Sequence, residues 1–106
     1  MAYETTLAAL ADPTRRAVFE RLRRRPHAVG ELAHALDVTQ PAVSQHLAVL
    51  RKARLVRSRR DGTRHIYKID FAGLASLRAY LDSFWDDVLD AYAARPRSAR
   101  RSKEKQ

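Results

Sequence analysis

The spacing of apolar residues predicts five helices in this chain. Apolar side chains recur at intervals of three and four residues, which is the period of a helix with one buried side. The predicted helices cover residues 3–10, 13–24, 29–36, 40–54 and 71–94. Their predicted buried sides are Leu7 and Leu10 in the first helix, Val18 and Leu22 in the second, Leu32, Ala33 and Leu36 in the third, and Val43, Leu47 and Leu50 in the fourth.

A β-hairpin is predicted between the fourth and fifth helices. The dipeptide Asp61-Gly62 separates two strand-like runs, and it suits a tight hairpin turn because both positions tolerate positive φ. The second run alternates well and places His65, Tyr67 and Ile69 on one face. The first run alternates poorly, so its facing stays open. The pattern therefore predicts a fold that is mainly α with a β-hairpin, made of five helices plus one two-stranded wing.

The last predicted helix carries an apolar seam that is too wide for one small domain to cover. The seam consists of Leu74, Leu77, Leu81, Phe84 and Val88, widened by Trp85, Leu89 and Tyr92. Such spacings of three and four are typical of helices that pair with other helices. Because a chain of 106 residues buries only a modest core, an interface with a second copy is favoured. A core helix of a monomer is the alternative.

Positive charge is concentrated in two segments of the chain. The net charge is +9, and residues 51–68 hold eight basic side chains against one acid, whereas residues 69–94 are net acidic. The last segment, 95–106, holds six basic side chains and one acid. A focused basic patch attracts polyanions, among which nucleic acid is common; a generally basic, solvated surface is the alternative. We expect one domain over residues 1–94, followed by a disordered basic tail over residues 95–106.

Composition argues against several classes of protein. The absence of cysteine excludes disulfides, thiolate nucleophiles and cysteine-rich zinc sites. No apolar run approaches the roughly 20 residues of a membrane span, and a secretory signal is not recognisable, so we expect a cytoplasmic protein. Ser44 and His46 cannot act as nucleophile and base, because residues two apart on a helix point in different directions. We therefore expect neither an enzyme nor a bound cofactor.

The third and fourth helices, joined by a tight turn and followed by the hairpin, predict a helix-turn-helix with a wing. In such a motif the second helix enters the DNA major groove; an ordinary amphipathic helix is the alternative for the fourth helix. Gln40, Pro41, Ser44 and Gln45 stand on or beside the side of the fourth helix that faces away from the core. Amide and hydroxyl groups can pair with base edges, whereas Arg51 and Lys52 suit phosphate. Four arginines near the hairpin tip are predicted to follow a minor groove or its phosphates: Arg57, Arg59, Arg60 and Arg64.

Three segments together resemble the ArsR/SmtB-type winged-helix repressors. They read LADPTRRAVFERL, GELAHALDVTQPAVSQHLAVLRKARLV and RRDGTRHIYKI, and the resemblance extends from about residue 5 to residue 92. It implies a homodimer built through the first and last helices, with Leu7 contributing from the first. It also implies double-stranded operator binding through the residues matching Gln40, Pro41, Ser44, Gln45 and His46, with the hairpin as wing. Repression would follow from occlusion of RNA polymerase, often at the protein's own promoter.

The sequence departs from the metal-sensing branch of that family. Those sensors place cysteines in the third helix, and this chain has none. Others use Asp and His on the last helix, where this chain has Asp82, Asp86, Asp87 and Asp90 but no histidine. Transition-metal sites favour clustered imidazole or thiolate groups, so we expect no metal site, and the identity of any effector stays open. His46 lies at the edge of the buried side, where packing, capping and phosphate contact remain alternatives.

One rival interpretation belongs to a different functional class. A winged helix can serve as a protein-interaction module, and the basic tail would then bind nucleic acid without sequence preference. The polar face around Gln45 argues against this, because interaction surfaces favour aromatic and apolar anchors.

Overall fold

The computed structural model describes residues 2–94. It contains α1 (Ala2–Ala11), α2 (Pro13–Arg24), β1 (His27–Ala28), α3 (Val29–Leu36), α4 (Gln40–Lys52), β2 (Val56–Asp61), β3 (Arg64–Ile69) and α5 (Ala72–Ala94). The predicted fold class, a winged helix-turn-helix of five helices and a β-hairpin, is confirmed. The tail predicted for residues 95–106 lies outside the described part of the chain.

Side chains cap the starts of two helices, α2 and α4. Asp12 Oδ2 accepts a hydrogen bond of 2.8 Å from the Arg15 N–H at the start of α2, and Thr39 Oγ1 accepts one of 3.2 Å from the Ala42 N–H at the start of α4. Each bond satisfies a backbone donor that the helix itself leaves unpaired. These caps fix the first turns of the two helices.

Side chains from α2 also satisfy the last carbonyls of α1. Arg15 Nε donates to the Ala9 carbonyl over 2.6 Å, and one Arg16 guanidinium nitrogen donates to the Leu10 carbonyl over 2.8 Å. Cations at a helix C-terminus also interact favourably with its dipole. The two helices are therefore joined by hydrogen bonds as well as by packing.

The core is built mainly from α2, α3, α4 and the start of β2. Its fully buried side chains are Val18, Leu32, Val43, Leu47, Leu50, Leu55 and Val56. The predicted buried sides of α2 and α4 are confirmed, and in α3 Leu32 and Ala33 are buried while Leu36 is partly so. These residues hold the helix-turn-helix against the sheet.

The apolar side predicted for α1 is only half correct: Leu10 is partly buried against the core, but Leu7 is not. Leu7 is 45% exposed, whereas Thr6 and Ala9 are 1% and 2% exposed. The reason is the close approach of α1 to α5, since the Thr6 hydroxyl donates to the Gly73 carbonyl over 3.2 Å. Small side chains permit this distance, and Leu7 is turned outward.

The sheet has one strand more than predicted. Its order is β1-β3-β2, all antiparallel, with Ala28 opposite Ile66 at one edge. At the hairpin tip Asp61 ends β2 and pairs with Arg64, so the turn consists of Gly62 and Thr63, one residue later than the predicted Asp61-Gly62. Gly62 has a φ of 66°, a conformation that glycine adopts without strain. Ile66 is buried on the face opposite Tyr67, beside Ala28 of β1.

Neither α5 nor any other helix within residues 2–94 is long and apolar enough to cross a membrane.

Helix α4 ends two residues earlier than predicted. Arg54 adopts a left-handed conformation with a φ of 62°, and the Leu55 N–H returns to the Leu50 carbonyl over 2.9 Å. This backbone bond closes the helix and directs the chain into β2.

Candidate nucleic-acid interface

Helix α4 separates a buried side from a polar, exposed one. Val43, Leu47 and Leu50 are 0% exposed, whereas the opposite side is open to solvent. The exposed residues on or beside that side are Gln40, Pro41, Ser44, Gln45, Arg51 and Lys52. The structure therefore brings these six predicted contacts onto one accessible surface, with amide and hydroxyl groups in the first turns and cations in the last.

Helix α3 holds the N-terminus of α4 in place. A methyl group added at Gly30 would lie 3.5 Å from the Gln40 side-chain nitrogen, so the first turns of the two helices are adjacent. The start of α3 is fixed in turn by Glu31, whose carboxylate accepts a 2.8 Å hydrogen bond from the Ala28 N–H. That bond is the main reason why the pKa of Glu31 is lowered; burial opposes it, and the nearby Arg25 charge adds to it.

His46 points back toward α2. Its Nδ1 lies 4.0 Å from Asp12 Oδ2, and its side chain is only 22% exposed. The pKa of Asp12 is lowered, first by the hydrogen bond from the Arg15 N–H, against the opposing effect of burial, and then by the charge of His46. His46 thus connects α4 to the capped start of α2, a contact that no helical period could predict.

The wing does not bring its four predicted arginines together. Arg60 and Arg64 belong to the two pairs nearest the turn, and Arg59 follows in the next pair. Arg57 lies opposite Lys68 near the base of the hairpin, roughly 13 Å from the tip at a strand rise of about 3.3 Å per residue. The tip therefore carries three of the four arginines.

A second basic group was not predicted. Arg23, Arg24 and Arg25, at the end of α2, wall a cleft together with Arg57 and Lys68. The charge of residues 1–50 is close to neutral when summed, which hides this run of three arginines. A shorter window along the sequence would have found it.

The seam predicted for α5 is largely open in the single chain. Leu81 is 41% exposed, and exposure rises along the helix to 65% at Tyr92. Phe84 and Trp85 are exposed as well, whereas Leu74, Leu77 and Val88 are partly buried. Leu7 adds an exposed apolar side chain from α1. Within residues 2–94, no group of three or more His, Asp or Glu side chains could hold a metal ion.

Comparison with known proteins identifies the family of this chain. A family model described as "Bacterial regulatory protein, arsR family" matches residues 12–58. The HTH-type transcriptional regulator Rv2034 of Mycobacterium tuberculosis is 60% identical over 85 residues, which cover 80% of this chain and 79% of that protein. The chain belongs to the ArsR family.

Two further ArsR-type proteins extend the comparison. The HTH-type transcriptional repressor SmtB of Mycobacterium tuberculosis is 44% identical, over 82% of this chain and 57% of that protein. The structure of an ArsR-like transcriptional regulator from Rhodococcus sp. RHA1 superposes with a TM-score of 0.73 at 29% identity, covering 87% of this chain and 90% of that one. As a member of the ArsR family, this protein is a DNA-binding regulator of transcription and not an enzyme.

Proposed function

We propose that this ArsR-family protein is a sequence-specific repressor that binds a palindromic operator as a homodimer. The observation that carries the proposal is the division of α4, which buries Val43, Leu47 and Leu50 completely and leaves a mainly polar side exposed. A recognition helix needs this division, because one side must anchor it while the other enters the major groove.

The proposed contacts fall into two groups. Gln40, Pro41, Ser44 and Gln45 face the base edges, where amides and hydroxyls can discriminate between base pairs. Cations position the protein on phosphates or along a minor groove: Arg51 and Lys52 on α4, and Arg57, Arg59, Arg60 and Arg64 on the wing. His46 contributes by holding α4 against α2, within reach of the same surface.

The proposed dimer joins the open faces of α1 and α5 across a two-fold axis. Its interface consists of Leu7, Leu74, Leu77, Leu81, Phe84, Trp85 and Val88. Support comes from the exposure of large apolar side chains along α5, since exposed apolar patches of this kind mark interaction sites. A two-fold dimer presents two recognition helices, which implies an operator with two inverted half-sites. Repression would follow from occlusion of RNA polymerase in the cytoplasm.

Fluorescence anisotropy provides the test. DNA from immediately upstream of the protein's own gene is compared with a scrambled duplex over a salt series. A preference of roughly 10³-fold or more at physiological salt is expected for a specific regulator. Equal affinities that collapse together as salt rises would mean that charge alone holds the protein on that DNA.

Removal of residues 95–106 separates the proposal from the interaction-module alternative. If the tail alone binds nucleic acid, its deletion abolishes binding. If α4 reads the operator, the truncated protein keeps its preference for operator over scrambled DNA, although its affinity for both falls.

A further inference from the structure

A cleft of about 790 Å³ opens between the end of α2, the base of the wing and the first turn of α5. Its floor is apolar, because Phe19 and Leu22 are 6% and 2% exposed and Ile69 and Leu74 pack against the same core. Phe71 stands at the rim and is 73% exposed. A volume in the range of 300–1,000 Å³ with a mostly apolar lining is typical of sites for small organic molecules.

The walls of the cleft carry an excess of positive charge. Five cationic side chains line it against the carboxylates of Glu20 and Asp70, and both carboxylates are already engaged. Glu20 holds Arg23 in an ion pair of 2.9 Å, and Asp70 Oδ1 accepts a 3.0 Å hydrogen bond from the Ala72 N–H. Arg25 is 3.8 Å from the Glu31 carboxylate.

Three cations of the cleft have no carboxylate partner within residues 2–94: Arg24, Arg57 and Lys68. Arg57 and Lys68 are also directly opposite each other across β2 and β3. Like charges in this position destabilise a sheet. A bound anion would relieve this repulsion. The cleft therefore combines an apolar floor, which can accept a hydrocarbon chain, with cations that have no anionic partner among residues 2–94.

We propose that this cleft binds a small organic anion with an apolar tail, of the class of medium-chain carboxylates, and that binding lowers the affinity for operator DNA. The floor accepts the tail, and Arg24, Arg57 and Lys68 hold the head group through charge-assisted hydrogen bonds. A phosphate group alone would leave the floor unfilled, and a neutral apolar molecule would leave the cations unpaired. The second half of the proposal rests on the proposed repressor function.

The direction of the coupling follows from the position of the cleft. Arg57 and Lys68 belong to the same two strands that carry the basic wing tip. A carboxylate bound between them reduces the positive potential that draws DNA phosphates toward the wing. Because coupling between two ligands is reciprocal, operator DNA must weaken binding of the anion by the same factor.

Calorimetry with the full chain tests the site directly, using decanoate, decanol and inorganic phosphate as probes. We expect one decanoate per chain. Decanol should bind at least tenfold more weakly because it lacks the charge that pairs with the cations, and phosphate at least tenfold more weakly because it leaves the apolar floor unfilled. The double variant Arg24→Gln with Lys68→Gln should lose about tenfold or more in decanoate affinity. Phe71→Glu, at an exposed position, should weaken decanoate binding through charge repulsion at the rim. Arg78→Gln is the matched control, because this cation lies on α5 outside the cleft.

Equal binding of decanoate by the double variant, or decanol binding as tightly as decanoate, would overturn the site. If phosphate binds as tightly as decanoate, the cleft is a simple anion patch. If decanoate binds only to dissociated chains, a second copy covers the cleft. Either result also overturns the proposed site. Anisotropy then measures operator affinity with and without saturating decanoate. Unchanged operator affinity with ligand bound would overturn the regulatory half alone. Decanoate binding by a protein that recognises no operator would contradict the repressor function and leave the site intact.

Discussion

At the scale of single residues, Gly73 fixes the junction of α1, α4 and α5. Its N–H donates to the Arg54 carbonyl over 2.8 Å, and its carbonyl accepts the Thr6 hydroxyl. A methyl group at this position would press against the Ala53 carbonyl oxygen and lie 2.8 Å from that of Arg54. These neighbours are backbone atoms at the end of a helix, so they cannot rotate away.

We therefore expect Gly73→Ala to lower the free energy of unfolding by about 3 kcal/mol, the upper end of the usual cost of overpacking. Gly30→Ala is the matched control, because the nearest atom to its new methyl group is a flexible Gln40 side-chain nitrogen at 3.5 Å. Because Gly30 is the second residue of α3, its replacement by alanine should be neutral or should stabilise the protein by less than about 1 kcal/mol. Urea unfolding of both variants measures the difference, and equal stabilities would contradict the close contact at Gly73.

Asp12 makes a pH-dependent contribution to stability. Its pKa in the folded protein is below the ordinary value of 3.8, chiefly because of the Arg15 N–H. A carboxylate with a depressed pKa stabilises the fold above its unfolded pKa, and this stabilisation is lost as pH falls through the folded value. Asp12→Ala should therefore be less stable than the unmodified protein at pH 7, and the difference should shrink as pH falls through the depressed folded pKa of Asp12.

Thermal unfolding of both proteins, recorded from neutral to acidic pH, measures that convergence. Asp82→Ala is the control, since Asp82 forms a solvent-exposed pair with Arg78 over 3.7 Å. Exposed pairs contribute little, so this variant should follow the unmodified protein at every pH. If the difference in unfolding temperature between Asp12→Ala and the unmodified protein stays constant down to the most acidic pH, the charge of Asp12 does not contribute to stability.

At the scale of elements, the first turns of α4 should contact the base edges of the operator, and the cations of its last turn should anchor the helix to phosphates. Replacing Ser44 and Gln45 together by Ala removes base-directed groups without touching the core. We expect this double variant to lose at least tenfold in operator affinity, since each good base contact contributes about 1–3 kcal/mol of discrimination. Its affinity for scrambled DNA should change little.

Lys52→Ala is the contrasting variant for the same anisotropy assay. As a phosphate contact, Lys52 should weaken binding to operator and scrambled DNA alike and reduce the salt dependence by about one charge. If the Ser44 and Gln45 double variant also lost affinity for operator and scrambled DNA by the same factor, direct readout of bases by α4 would be refuted.

Elements are best predicted from the sequence where their buried residues repeat with a regular period. The two sides of α4 were predictable because three large apolar residues repeat along 13 positions. The inner side of α1 was not, because Thr6 and Ala9 become buried through close helix contact rather than through hydrophobicity. Strand β1 has two residues, too few to show any alternation. The place of Arg57 depends on hairpin register, and its cleft depends on α2 and α5, which lie far apart in sequence.

At the scale of the whole molecule, α5 extends well beyond the rest of the fold. Tyr3, at the start of α1, stacks on Tyr80 with ring centroids 4.2 Å apart. From Leu81 onward α5 continues for roughly 20 Å at a rise of 1.5 Å per residue. The exposed apolar side chains of this extension are the ones that a second copy would bury.

Leu81→Asp should therefore abolish the proposed dimer, because a buried carboxylate without a partner would face the apolar surface of the other copy. Sedimentation velocity measures the result, and circular dichroism checks that the monomer remains folded. Val49→Asp is a closely matched control, since Val49 on α4 is 40% exposed and Leu81 is 41% exposed. A folded Leu81→Asp protein that stays dimeric would exclude this part of α5 from the interface. Loss of the dimer in both variants would instead indicate that an added charge anywhere on the surface prevents association, and α5 would then have no special role in the interface.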